Sequence, residues 1–303
     1  MLVALLGLAP AVARAADPLQ NAYGGTYTTP TGGTVAVYTS SQMPADDTVN
    51  QHWADFLDSL VHGPELAQLT LVLEPLGQVQ QHCGLSAYAC YRADRGLIVA
   101  SPDKSPPDGP TPEGVIAHEY GHHIAAHRTN APWSATAWGT KRWATAMGIC
   151  ARVRAGQLHP GDEAAYYLFN PGEAFAESYR LLNETQLQLP VTAWRIVSPK
   201  LQPSPAALDA LREDVEDPWL APETRTLGGF FTPTGTSVRA YTVATPYDGL
   251  LVASLKAPPG TTLRISVGGL PTSRGTVCGQ RTTRVTVTRI RGRGPFTLSV
   301  QTP

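Results

Sequence analysis

Near Thr226 the periodicity of the chain changes, and this change narrows the possible fold more than any other feature. Upstream, helix-start signals alternate with short apolar runs. Downstream, Thr, Val, Gly and Arg fill short alternating segments at 237–243, 250–255, 262–267, 284–289 and 296–300. Turns punctuate these about every ten residues, the spacing of a small antiparallel sandwich. At 303 residues the chain is long enough for two cores. The expected fold class is α+β: a mixed sheet with helices over residues 17–222, then an all-β accessory domain over 226–303.

The two parts also differ in charge. The whole chain carries −1. From Thr226 onward nine basic residues stand against one acid, Asp248, a balance of +8 that leaves −9 for the remainder. A near-neutral total argues against a dedicated nucleic-acid binder. The local excess leaves two readings open: an anionic partner, such as a cell-wall polymer, or two solvated surfaces of different sign.

In the first part, residues 34–39 (TVAVYT), 69–73 (LTLVL) and 96–100 (GLIVA) read as strands. The third is a candidate edge to which an extended peptide could add. Asp46 or Asp47 caps a helix to about Val61, with Trp53, Phe56, Leu57 and Leu60 on one face. Thr111, Pro112 and Glu113 supply an N-cap, an N1 proline and a first-turn acid for a helix over 115–127. One continuous helix is expected over 134–153, another from Asn170 to about Asn183, and a last one over 205–215.

The helix over 115–127 carries His118-Glu119-Tyr120-Gly121-His122. Residues i and i+4 share a helix face, so both imidazoles can converge on one ion about 2.0–2.1 Å from each ring nitrogen. Glu119, one residue round, can reach a water acidified by the metal and take its proton as it attacks a carbonyl. A third ligand is required. Glu173 and Glu177 lie four apart on one face of the helix begun by Asn170. They fit as a ligand and as the partner of a ligand histidine's free nitrogen. Glu173 also reads as a capping-box glutamate. Asp162 and Glu163 are the other candidates for the third ligand.

HEYGH followed by NPGEAFAESYR resembles the gluzincin arrangement of zinc peptidases. It is most similar to the catalytic domain of anthrax lethal factor, with its HExxH helix and later Glu-x-x-Ala-Glu helix. The resemblance covers about residues 96–182. It implies a zincin-like domain binding one Zn²⁺ through His118, His122 and Glu173, with Glu177 behind them. It also implies a tyrosine that steadies the oxyanion; Tyr166 holds that position, with Tyr167 beside it. Residues 226–303 resemble the pre-peptidase C-terminal domains of secreted proteases, on Tyr247-Asp248-Gly249, 250–255 and 297–300.

The N-terminus reads as an export signal over 1–16: an apolar run at 2–12, then Ala13-Arg14-Ala15. That run is too short to cross a bilayer, and no other segment approaches about 18 apolar residues. Four cysteines in an exported chain favour disulfides. Cys83 and Cys90 enclose a short turn and are the expected pair; Cys150 with Cys278 follows by elimination. Asn183-Glu184-Thr185 is a formal glycosylation sequon. The sequence therefore points to a secreted zinc endopeptidase acting on proteins or peptides. The alternatives are an exported wall-binding protein on a zincin scaffold and a hydrolase of non-peptide amides.

Overall fold

The computed structural model describes residues 17–103, 109–194 and 196–303. The expected export signal lies outside the described residues. The first part is α+β. Strands β1 (Tyr23–Thr28) and β2 (Thr34–Thr39) form a hairpin, and α1 (Asp47–Ser59) follows, capped by the Asp46 side chain on Thr48 N–H. Next come β3 (Thr70–Leu73), α2 (Leu76–Cys83), β4 (Ala89–Arg92) and β5 (Leu97–Ala100). The sheet order is β1-β2-β3-β5-β4, with β2, β3 and β5 parallel and both edges antiparallel. β5 is buried along its whole length, as a strand covered on both faces must be.

β5 is therefore not an edge. It is bonded to β3 on one side and β4 on the other, and the edge on that side is β4. The sequence hid this strand because ACYR lacks a clear two-residue alternation and follows directly on a disulfide turn.

Helix α3 (Pro112–Ala126) starts as its capping residues dictate, with Thr111 Oγ1 accepting from Gly114 N–H. Then follow α4 (Ala135–Trp138), α5 (Lys141–Ala146) and α6 (Ile149–Arg154). The single helix expected over 134–153 is thus three pieces. Gly139 and Gly148 interrupt it at φ +76° and +63°, backbone that an α-helix does not contain. Helix α7 (Pro171–Gln186) is capped by Asn170 on Gly172 N–H, and α8 (Pro205–Glu216) by Ser204.

One apolar core joins the sheet to α1, α3, α5, α7 and α8 through Trp53, Leu57, Leu71, Ile98, Tyr120, Trp143, Phe175 and Leu211. Helices α3 and α7 pass close together. A Cβ on Gly121 would stand 2.7 Å from Ala176 Cα, so only glycine permits this spacing. Asn183 is fully buried; its side chain accepts from Val61 N–H and donates to Tyr179 O. The sequon is inaccessible for that reason.

The second part is all antiparallel. Its strands are β6 (Glu223–Phe231), β7 (Val238–Thr245), β8 (Gly249–Lys256), β9 (Thr262–Val267), β10 (Arg274–Val277), β11 (Arg281–Arg291) and β12 (Gly294–Thr302). They form sheets ordered β10-β8-β12-β6 and β7-β11-β9. Both contribute to one core: Leu251, Phe296 and Leu298 from the first, and Val243, Val285 and Val287 from the second. Cys83–Cys90 and Cys150–Cys278 are both bonded. The second bond ties α6 to the segment between β10 and β11, across 128 residues of chain.

Candidate metal centre

Helix α3 presents His118 and His122 on one face, and α7 brings Glu173 opposite them. Their donor atoms all lie within 4.8 Å of one another. Glu173 Oε2 is 3.3 Å from His118 Nε2, and Oε1 is 3.4 Å from His122 Nε2. The candidate third donor is therefore Glu173. Asp162 instead accepts from Ala164 and Tyr166 N–H in its own loop. Glu163 accepts from Asn170 Nδ2 and lines the cleft outside the triad.

Glu177 meets the other nitrogen of His118, with Oε2 3.1 Å from Nδ1. That contact fixes the tautomer that aims Nε2 at the triad. Behind Glu177 lies a buried chain that the sequence did not reveal. The Arg180 guanidinium donates to both Glu177 oxygens, at 2.9 and 2.6 Å, and also to Glu184. Glu184 accepts in turn from Thr192 N–H and Oγ. Residues 177, 180 and 184 stand at i, i+3 and i+7 on one helix face. That spacing was visible in the sequence, but the burial that makes the pairing matter was not.

The two tyrosines separate. The Tyr167 hydroxyl donates to Glu173 Oε2 at 2.7 Å. Tyr166 is 49% exposed and stacks on His159 at 3.9 Å. It does not line the cleft, because the turn into the short 3₁₀ helix at Tyr167–Phe169 points successive side chains in different directions.

The electrostatics follow from burial against charge. Burial alone would keep His118 neutral, but the Glu173 and Glu177 hydrogen bonds and the charge of Glu119 outweigh it and lift its pKa to about 10. His122 is raised against the same opposition, chiefly by Glu173. Glu173 is buried, yet the two imidazoles hold its carboxyl far below the usual range. Burial pushes Glu119 up, with the imidazoles opposing and Glu173 reinforcing. The triad thus demands positive charge at its centre. Two neutral imidazoles and a carboxylate, all convergent, suit a divalent transition metal.

The cleft over the triad, about 530 Å³, is lined by Glu119, Glu163 and Glu173, by both histidines, and by no Lys or Arg. The β4 residues Ala89, Cys90 and Tyr91 form one wall. A second lobe of about 880 Å³ adjoins it, with Val115, Val191 and Ile196 among its lining.

No protein-family model matches the chain, and no curated protein is significantly similar to it. The arrangement resembles a zincin HExxH…Glu centre on geometry alone. The two disulfides indicate folding in an oxidising, extracytoplasmic compartment. Among the described residues no helix is long and apolar enough to cross a membrane.

Proposed function

We propose that the protein is a zinc-dependent endopeptidase. The observation that carries this is the convergence of His118, His122 and Glu173 beside a cleft whose wall is a free strand edge. His118, His122 and Glu173 would hold one zinc ion. Zinc in such a site supplies Lewis acidity and acidifies a water near neutral pH.

The chain's own residues divide the remaining work. An extended peptide laid along β4 would take main-chain hydrogen bonds from the strand's unpaired edge. That edge lines the same cleft as the base, Glu119. Glu119 takes the proton of the attacking water and returns it to the leaving amine. Its upward-shifted carboxyl suits both directions of transfer. The Tyr167 hydroxyl, which rests on Glu173 in this structure, would donate to the developing oxyanion. Glu177 and Arg180 keep His118 oriented throughout.

The alternative, a wall-binding protein without turnover, lacks an account of why Glu119 sits in the cleft beside the triad. A digest of a proteome-derived peptide library tests the proposal. Cleavage within peptides that stops on chelation and returns with zinc is expected. Absence of any chelator-sensitive cleavage would overturn it.

A further inference from the structure

A second recess lies where the two parts of the chain meet. It has a volume of about 580 Å³, within the range of small-ligand sites. Trp133 and Trp138 form one wall, stacked on each other at 4.3 Å and 9°. Arg154, from the end of α6, and Arg281, from the start of β11, bring two exposed guanidinium groups to it. Among the described residues neither has a carboxylate within ion-pair distance, and no acidic residue lines the recess. Thr283 also lines it; its hydroxyl is buried and without a hydrogen-bond partner, a cost normally met by a ligand or a water.

The walls are locked together. Cys150, at the floor, is bonded to Cys278. Asp248, buried at the start of β8, accepts from Cys150 N–H at 3.3 Å and Gly279 N–H at 2.5 Å. The wholly buried Lys141 donates to Ala131 O and Asp248 O and lies 4.2 Å above the Trp219 ring. A groove held this firmly needs no reorganisation on binding, which favours affinity.

From these features we infer that the groove is a binding site for an acidic polysaccharide, a chain of carboxylate-bearing sugars. Guanidinium groups pair with carboxylates through two parallel hydrogen bonds. Indole faces carry negative π density that attracts the C–H faces of a pyranose ring. An acidic peptide would satisfy the arginines but leave the indole wall without a reason. The inference is independent of whether the triad cleft hydrolyses peptides.

Calorimetric titration of the full chain with oligogalacturonate tests the inference, with polyglutamate and neutral dextran as comparisons. Oligogalacturonate should bind and dextran should not. Affinity should fall about tenfold or more in R154Q/R281Q and in W138A. It should hold in R264Q/R284Q, whose exposed arginines lie on the sandwich outside the groove. Thermal unfolding of each variant confirms an intact fold. Three results would overturn the inference: no oligogalacturonate binding, equal affinity for polyglutamate, or equal losses in R264Q/R284Q and R154Q/R281Q.

Discussion

The cleft over the triad and the groove at the joint are opposite solutions to holding charge. The cleft is lined by three carboxylates and no Lys or Arg; the groove is lined by two arginines and no acid. In the cleft, charge is buried and each group is held by another: His118 by Glu177, Glu177 by Arg180, Arg180 by Glu184. In the groove the charged heads are exposed, and what is buried is the clamp beneath them. Buried networks of this kind are costly to break at any link. Exposed guanidinium groups on a rigid base can be removed singly with little loss of stability. The cleft should therefore be sensitive to conservative changes and the groove tolerant of them.

The largest effect expected is from Glu173→Gln. It removes the anionic donor and leaves two imidazoles without their partner, so zinc affinity should fall further than in Glu177→Gln. For Glu177→Gln about 10–100-fold is expected, since that residue orients a ligand without being one. Competition with a chromogenic chelator measures both; equal losses would break the distinction between donor and support.

Next is the joint. Cys150→Ser with Cys278→Ser releases a 128-residue span and should lower stability by about 2–4 kcal/mol in denaturant titrations. Zinc affinity should stay unchanged while oligogalacturonate affinity drops, separating the two regions in one variant.

Smaller again is Gly121→Ala. The added Cβ meets the Ala176 backbone and should cost about 1–3 kcal/mol. It should also weaken zinc binding, because α7 can move only by carrying Glu173 away. Stability loss with unchanged zinc affinity would show that the spacing of α3 and α7 does not set the site.

The smallest effect concerns pH. Glu74 is buried beside His82, and burial, partly opposed by Arg92, pushes its pKa up to about 7. The folded chain then binds this proton more tightly than the unfolded chain, whose carboxyl titrates near 4.5. Stability should decline as pH rises from about 4.5 to about 7. Glu74→Gln should flatten that slope by a few degrees of Tm across the interval. An unchanged slope would place the titration elsewhere.

Much of the cleft was legible in sequence because its chemistry is local. His118, Glu119 and His122 declare themselves through spacing on one helix, and Thr111 and Asn170 through capping. The choice of Glu173 over Asp162, Glu163 or a capping role needed the crossing of α3 and α7. That crossing depends on one glycine whose significance lies in what packs against it. The β4 edge was missed because four residues beside a disulfide turn carry too little pattern. Tyr166 and Tyr167 were indistinguishable, since a single turn of 3₁₀ helix decides which faces the metal centre. The groove could not be read at all: Trp133, Arg154 and Arg281 are far apart in sequence, and the contacts that bring them together, the Cys150–Cys278 bond and those of Asp248 and Lys141, are long-range.

The most direct test of the central claim is to compare zinc content and peptide hydrolysis in the parent protein and Glu119→Gln. Both should carry about one zinc per chain, because Glu119 is not a ligand. Hydrolysis should fall by about 10³-fold or more in the variant, because the base is gone. A Glu119→Gln protein that hydrolyses peptides at the parent rate, or a parent that binds no zinc, would contradict the account.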